Sequence, residues 1–357
     1  MDFDELLAGL SVDHAQILEK SRPRPVTLVW RTDIHLSDYA PQSRLDNWTD
    51  TILEKIRQVG QIACEVQADA VIDGGDFFSI KSPTKNSHSL VRQAIEAHRG
   101  YPCPVYATVG NHDCIYGNYS YLDQQPLGVL FASGVFKRLY DQHEARFLGS
   151  DGTTVRVVGI PYHGAKYDMS RFTDLKRDGE DYLMVAAHLL ASRVGGSLFE
   201  SEDVLKYADL EAVPADVFSF GHWHKNQGIY EIPNSDNIDT FGLGRKIINI
   251  GSLSRGSISE DDTTRIPSVA ILRFYPEGVV VEERRLVVSP AEKVFDLAGK
   301  NYDELKKVAT DEFMDKLNTS LTRDNQRPLQ DIIRDMILPE NVRERLLVYL
   351  EKARPNP

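Results

Sequence analysis

Short apolar runs alternate with amphipathic segments in the first third of the chain. The run VTLVWRT at 26–32 predicts a buried strand. The next segment, 43–67, repeats apolar residues every three or four positions, as an amphipathic helix does. Further strands are predicted at 68–74 and 104–110, with a second helix between them. Because strands and helices alternate, we expect a mostly parallel sheet covered by helices.

The second half of the chain is richer in strands. Apolar runs between polar loops predict strands at 154–162, 181–187, 215–221 and 246–251, and a hairpin at 268–288. After Pro290 the sequence becomes charged and helical to its end. We therefore expect a helical arm at 1–24, a large α/β core at 25–289 and a helical tail at 290–357.

Composition narrows the class of protein. The 357 residues are 41% hydrophobic and 26% charged, as in ordinary globular proteins, and no apolar run approaches the ~20 residues of a membrane helix. The acidic N-terminus predicts no secretory signal, and three cysteines without a CxxC pair disfavour a disulfide framework. A reducing cytoplasm is therefore expected. The net charge of −12 argues against binding nucleic acid by phosphate contacts alone, unless metal ions or a partner supply positive charge.

Five predicted strand ends are each followed by a histidine, aspartate or asparagine. These sites are Asp33-Ile34-His35, Gly75-Asp76, Gly110-Asn111-His112-Asp113, His188 and Gly221-His222-Trp223-His224. Side chains beyond the carboxyl ends of sheet strands lie where α/β proteins place their active sites. One such motif alone is weak, because most matches of this length arise by chance. Five in order predict a single cluster.

The chemistry of these side chains indicates metal binding. Carboxylate, imidazole and amide ligands suit manganese, iron or zinc better than calcium or a thiolate-bound metal. Two carboxylates with at least four further ligands are too many for one tetrahedral ion. They fit two ions roughly 3.5–4 Å apart, an arrangement used for in-line attack on phosphorus. The sequence therefore predicts a two-metal phosphoesterase.

The five motifs together resemble the signature of the calcineurin-like metallophosphoesterases, which runs D-x-H, G-D, G-N-H-[DE], H and G-H-x-H. This resemblance covers residues 33–224 and implies an α/β fold, a four-layer αββα sandwich, to which the predicted helical tail adds a C-terminal extension. It implies that one ion is bound by Asp33, His35 and His224, that Asp76 bridges both ions, and that Asn111, His188 and His222 bind the other.

The resemblance also implies roles for residues that bind no metal. His112 would contact the phosphate and protonate the leaving oxygen, while water activated by the ions attacks phosphorus. Asp113 would orient His112 through a hydrogen bond. Arg255, in the loop after the last motif strand, is a candidate contact for substrate phosphate, although a solvated loop arginine explains it equally well.

Within that family the chain looks most like the DNA-repair and recombination nucleases of the SbcD type and their phage relatives. The similar segments are Asp33-Ile34-His35-Leu36-Ser37, Gly74-Gly75-Asp76-Phe77-Phe78, Gly159-Ile160-Pro161-Tyr162 and Asn249-Ile250-Gly251-Ser252. Ser37 and Ser79 depart from the pattern, since many relatives have glycine and an acidic residue or histidine there. The resemblance implies an exonuclease or endonuclease acting on DNA with two divalent ions, foremost Mn²⁺, with Fe²⁺, Zn²⁺ and Mg²⁺ as alternatives.

This branch further implies an SMC-like coiled-coil ATPase partner bound through helices after the core. The tail carries two apolar stripes, Leu329, Ile332, Ile333, Met336 and Ile337, then Val342, Leu346, Leu347 and Leu350. Packing of both stripes on the chain's own core is the competing explanation, and a homodimer is also left open. Two other functions compete: a phosphatase or phosphodiesterase acting on a phosphoprotein or small cyclic nucleotide, and a non-cutting scaffold for an ATPase. His112 disfavours the scaffold, which needs no proton donor.

Overall fold

A computed structural model of the chain describes residues 23–115, 118–194, 202–232 and 244–297, together with Arg343. The chain divides into two compact units, Met1–Phe295 and Asp296–Pro357. Nearly all of the predicted arm at 1–24 and most of the predicted tail at 290–357, including both apolar stripes, lie outside the described residues. The three-part division of the chain stays a prediction.

The described residues form fourteen strands and six α-helices, joined by short 3-10 segments. In chain order the strands are β1 (Val26–Arg31), β2 (Ala70–Asp73), β3 (Val105–Ala107), β4 (Phe136–Arg138), β5 (Glu144–Leu148), β6 (Thr154–Ile160), β7 (Tyr182–His188), β8 (Ala191–Ser192), β9 (Leu205–Lys206), β10 (Val217–Gly221), β11 (Gly228–Ile232), β12 (Arg245–Asn249), β13 (Ser268–Tyr275) and β14 (Gly278–Arg285). The helices are α1 (Trp48–Glu65), α2 (His88–His98), α3 (Pro126–Ala132), α4 (Ser170–Thr173), α5 (Glu260–Thr264) and α6 (Ala291–Val294).

Twelve of these strands form two six-stranded sheets. The first sheet has the order β14-β13-β1-β2-β3-β4, and the second has the order β11-β12-β10-β7-β6-β5. Strands β1 to β4 run parallel to one another, and so do β6, β7, β10 and β12. Strands β13, β14, β5 and β11 join antiparallel at the sides. The expected mostly parallel sheet is confirmed, and the structure contains a second six-stranded sheet.

The alternation of side chains along β1 shows how the layers pack. Leu28 and Trp30 point into an apolar core between the two sheets, where they meet residues such as Met184 of β7. Val29 points to the opposite face and belongs to the core that α1 covers with residues such as Ile56. The outer face of the second sheet is covered by short segments, including α4 and a 3-10 turn at Tyr207–Leu210. The predicted αββα sandwich is confirmed, with an outer layer of short helical pieces beside the second sheet.

Helix α1 begins at Trp48, five residues after the start of the predicted helical segment 43–67. The side-chain oxygen of Asn47 accepts the N–H of Asp50 at 3.2 Å and caps the first turn. Before it, the N–H of Arg44 donates to the carbonyl of Pro41 in a turn. The turn and the capping side chain therefore set the start of the helix.

A buried ion pair joins β1, β2 and α2 beneath the carboxyl end of the first sheet. Nε of Arg31 donates to Asp73 at 2.8 Å, and both side chains are fully buried. The same guanidinium donates to Nε2 of His98 at 2.7 Å and to the hydroxyl of Tyr101 at 2.7 Å. Burial, together with the charge of Arg31, holds the pKa of His98 well below its usual range, so this histidine accepts as a neutral ring.

Arg31→Ala should destabilise the protein by roughly 3–5 kcal/mol, because it leaves the buried Asp73 carboxylate without its cation. Urea unfolding monitored by circular dichroism measures this loss. The matched control is Arg92→Ala, which removes an exposed pair with Glu96 on α2 and should cost less than about 1 kcal/mol. Equal losses in the two variants would contradict the role of the buried network.

Candidate metal centre

All seven expected ligands come together at one edge of the sandwich. Each lies at or just beyond the carboxyl end of a parallel strand, β1, β2 or β3 of the first sheet and β7 or β10 of the second. The residues are Asp33, His35, Asp76, Asn111, His188, His222 and His224. Because the two sheets pack face to face, strand ends that are far apart in sequence become neighbours in space.

One group of ligand atoms forms around Asp33, His35 and His224. Nε2 of His35 lies 2.9 Å from Nε2 of His224, and Oδ1 of Asp33 lies 3.5 Å from His224 Nε2 and 3.9 Å from His35 Nε2. Carboxylate and imidazole atoms thus converge without filling the space between them. This donor set suits a divalent transition-metal ion.

A second group forms around His188. Its Nε2 lies 3.4 Å from Oδ2 of Asp76 and 3.2 Å from Oδ1 of Asn111, and His222 lies within reach of the same point. Oδ2 of Asp76 is also 3.9 Å from Nε2 of His35 in the first group. One carboxylate oxygen therefore faces both groups, as a residue bridging two ions must. The donors present fit a pair of divalent ions.

The loops that carry these ligands have unusual backbone conformations. Asp33, His35, Asp76 and His222 all adopt the left-handed region, with φ of 53°, 51°, 54° and 85°. Such conformations cost free energy for residues other than glycine and concentrate at functional sites. The loops after β1 and β2 hold each other in place, since the N–H of His35 donates to the carbonyl of Asp76 at 3.0 Å.

Gly110 makes room for the bridging carboxylate. A Cβ atom at this position would lie 2.0 Å from Oδ1 of Asp76 and 2.4 Å from the Asp76 backbone nitrogen. Any larger residue would displace the turn that holds the ligand. The glycine of the G-N-H-D motif is therefore required by close approach rather than by flexibility.

The electrostatics of the metal-free site are dominated by burial and by ion pairing. Burial raises the pKa of Asp33, but its hydrogen bond with His224 and the nearby histidines outweigh this and hold it well below its usual range. Burial lowers the pKa of His35 to about 3, with His224 adding to the effect. Burial also acts to lower the pKa of His188, yet the Asp76 carboxylate prevails and raises it to about 10.

His112 lies beside the cluster, but its partner differs from the expected one. Its ring Nδ1 donates to the backbone carbonyl of Ser79 at 2.7 Å, and its backbone N–H donates to Oδ1 of Asp76 at 2.7 Å. Asp113 is buried and accepts backbone N–H groups instead, from Asp76 at 2.7 Å and from Gly110 at 3.0 Å, with two further donors in Phe77 and Phe78. The expected contact from Asp113 to His112 is thus replaced, because the carboxylate pins together the loops after β2 and β3.

Arg255 also has a different place from the one expected. Its side chain is buried, donates to the carbonyl of Ser289 at 2.6 Å and lies over the ring of Phe295. Its own carbonyl accepts from Arg44 at 2.8 Å. A guanidinium held in these contacts is structural, and the expectation that it binds substrate phosphate is replaced by a role in fastening the loop after β12.

An open cleft of ≈ 460 Å³ borders the site and contains residues that motif spacing did not reveal. Its lining includes His112, Trp223 and Lys225 together with the acidic residues Glu202 and Asp262. Glu202 contacts His222, with Oε1 2.9 Å from Nε2. No sequence motif marks Glu202, which precedes β9 and is brought to the site only by the fold.

Metal binding should release protons at neutral pH. In the metal-free protein His188 has a pKa of about 10 because of Asp76, so a ligating ion must displace its proton. The charged form stabilises the metal-free fold fully below pH about 6.5, and this contribution is lost as pH rises through about 10. We expect Mn²⁺ affinity to increase with pH over this window.

Calorimetric titration with Mn²⁺ in buffers of different ionisation enthalpy measures this proton release. His188→Asn, which keeps a polar side chain, should release about one proton fewer than wild type. Binding heats that do not depend on the buffer would contradict the ion pair between His188 and Asp76.

One family model and several solved structures resemble this chain. The calcineurin-like phosphoesterase family model matches residues 28–226, and no curated protein matches the chain. Similar solved structures include an archaeal phosphodiesterase (14% identity, 72% of this chain and 99% of that chain, TM-score 0.35). The protein TT1561 of Thermus thermophilus has 11% identity, the same coverage and a TM-score of 0.41. The purple acid phosphatase PPD1 from yellow lupin has 15% identity over 74% of this chain and 52% of its own, with a TM-score of 0.48.

Activity and substrate do not follow from these distant structures. The family match spans more than half of the chain and contains all five ligand motifs, from Asp33 to His224. On this match the chain belongs to the calcineurin-like phosphoesterase family.

Proposed function

We propose that the protein is a two-metal phosphodiesterase that cleaves DNA, with Mn²⁺ as its working ion. The proposal of hydrolysis rests on the position of the Asp76 carboxylate. Its Oδ2 faces both ligand groups, and its Oδ1 accepts the backbone N–H of His112. One ion would be held by Asp33, His35 and His224, the other by Asn111, His188 and His222. Two bound divalent ions polarise the phosphoryl oxygens and make water a nucleophile near neutral pH.

His112 supplies the proton for the leaving oxygen. Its Nδ1 is committed to the carbonyl of Ser79, which orients the ring and leaves Nε2 as the nitrogen that serves substrate. The ring lies 5.0 Å from that of His35, close enough to act on a phosphate held at the ions. A proton donated there stabilises the alkoxide that departs when the ester bond breaks.

DNA as substrate is supported by the openness of the site. The side chain of His224 is 50% exposed, so a strand can reach the ligand cluster without entering an enclosed pocket. Trp223 and Lys225 line the same cleft and offer a surface for base stacking and a cation for phosphate. The segments that resemble the SbcD-type nucleases, which include the motif that ends at Tyr162, point to the same substrate.

A compact phosphodiester is the second candidate, and the charge of the cleft favours it. Glu202, Asp261 and Asp262 line the opening, and the whole chain carries a net charge of −12. Acidic walls repel a polyanion, whereas a small ester carries fewer charges past them. The two candidates share the same chemistry and differ only in what lies beyond the scissile phosphate.

The nuclease proposal extends to a partner and a compartment. We propose that an SMC-like coiled-coil ATPase binds the helical tail and supplies a positive DNA-binding surface that offsets the chain's net charge of −12. The stripes at 329–337 and 342–350 that would bind it lie outside the described residues. Within the described part of the chain, no helix combines the length and hydrophobicity needed to cross a bilayer. We propose the cytoplasm as the compartment.

Purified protein with Mn²⁺ should cleave both labelled DNA and bis-p-nitrophenyl phosphate. Addition of EDTA should abolish both activities, because each depends on the same ions. Gel electrophoresis of single- and double-stranded DNA, with the chromogenic ester in parallel, makes the measurement. Hydrolysis of the ester without cleavage of any DNA, even after the ATPase partner is added, would reject the nuclease proposal and select the compact substrate.

His112→Ala should retain both ions but lose hydrolysis by about 10²–10⁴-fold, since it removes only the proton donor. The control is His143→Ala, an exposed histidine beside β5 that should leave the rate unchanged. Steady-state kinetics with metal content by atomic absorption decide the outcome. A wild-type rate in the His112 variant would reject the proposed role, and no hydrolysis in wild type would favour a scaffold.

A further inference from the structure

Glu202 stands at the metal centre although no signature motif contains it. Its Oε1 lies 2.9 Å from Nε2 of His222, and the two side chains are only 19% and 13% exposed. A carboxylate held this close to a ligand histidine, and mostly out of water, interacts strongly with the ring. The contact therefore affects how His222 presents itself to an ion.

The fold places Glu202 through the short sheet β8–β9. Strand β8 follows His188 at the end of β7, and Ala191 of β8 pairs with Leu205 of β9. Just before β9, the N–H of Asp203 donates to the carbonyl of Ala165 at 2.8 Å. These contacts fix the backbone on the C-terminal side of Glu202, so the carboxylate reaches the site from the covering layer of the second sheet.

Tyr162 forms a second contact with the same carboxylate. Burial, with the nearby charge and hydrogen bond of Glu202, raises the pKa of Tyr162. The Tyr162 ring also lies 5.3 Å from the ring of His222. Glu202 is thus held between a phenol and an imidazole rather than left free at the rim of the cleft.

The two histidines of the second group are anchored to the protein through different ring nitrogens. In His188, Nδ1 donates to the carbonyl of Gly74 at 2.7 Å, which leaves Nε2 facing Asp76 and Asn111. In His222, Glu202 occupies Nε2, and the nitrogen that remains for an ion is Nδ1. Each ring has one nitrogen committed to the protein and one available, as in other metal-binding histidines.

We propose that Glu202 is a positioning residue of the metal centre, which accepts Nε2–H of His222 and so presents Nδ1 to the ion shared with Asn111 and His188. This inference rests on the proposed two-metal function. Such a carboxylate fixes the tautomer and the orientation of the imidazole ring and makes its free nitrogen a stronger metal ligand. Loss of the Glu202 carboxylate therefore weakens the binding of one ion. The affinity for the other ion, held by Asp33, His35 and His224, stays nearly unchanged.

The test is calorimetric titration of metal-free, full-length protein with Mn²⁺. Glu202→Ala should weaken one of two binding events by roughly 10–100-fold. Glu202→Gln should lose less, because its amide oxygen still accepts Nε2–H. The matched control is Asp203→Asn, which neutralises the adjacent exposed carboxylate and should bind both ions as wild type does. His222→Ala provides the reference for complete loss of a ligand.

Thermal unfolding of the metal-free variants separates positioning from folding. A lowered Tm with both affinities unchanged would mean that Glu202 only stabilises the covering layer, which overturns the proposal. A loss as large as that of His222→Ala, with no recovery in the glutamine variant, would make Glu202 a direct ligand and overturn it as well. A wild-type protein that binds a single ion would instead reject the two-metal function. That result differs from the one that rejects only the role of Glu202, in which both Glu202 variants bind two ions with wild-type affinity.

Discussion

The apolar core between the two sheets is the contact on which the site depends. Side chains such as Trp30 of β1 and Met184 of β7 are fully buried there, and each contributes on the order of 2 kcal/mol of transfer free energy. Their packing keeps the carboxyl ends of both sheets at one edge. Asp33 and Asp76 come from one sheet, and His188, His222 and His224 come from the other. Neither sheet alone holds a complete set of ligands.

Charge brought to that edge has to be compensated inside the protein. The carboxylate of Asp33 accepts the N–H of His222 and the hydroxyl of Thr32, and Asp113 accepts four backbone N–H groups. Burial and the nearby Asp76 carboxylate nevertheless raise the pKa of Asp113. Divalent cations held there would offset this charge, and their binding would stabilise the folded loops around Asp33 and Asp76.

One departure from the nuclease pattern, Ser79, has a structural explanation. Ser79 stands where an acidic residue or histidine is common, yet His112 is oriented by the Ser79 backbone carbonyl, which any residue supplies. The buried Arg255 belongs to a set of basic side chains that hold the loop after β12. Lys55 of α1 is another member, and it donates to the carbonyl of Leu253 in that loop at 2.9 Å. That loop in turn supports β1, since the N–H of Leu253 donates to the carbonyl of Thr32.

The sequence by itself determined the central strands, the helices α1 and α2, and the seven polar residues that the fold brings together at one edge. Apolar runs and three-to-four spacing report local burial, and polar residues directly after each run mark the strand ends. It did not reveal β4, β5, β8, β9 or β11, which are short or half-exposed and carry little periodicity. It also missed Glu202, and it gave His112 the wrong partner. Those contacts join loops that are distant along the chain, and only the packing of the two sheets decided which loops meet.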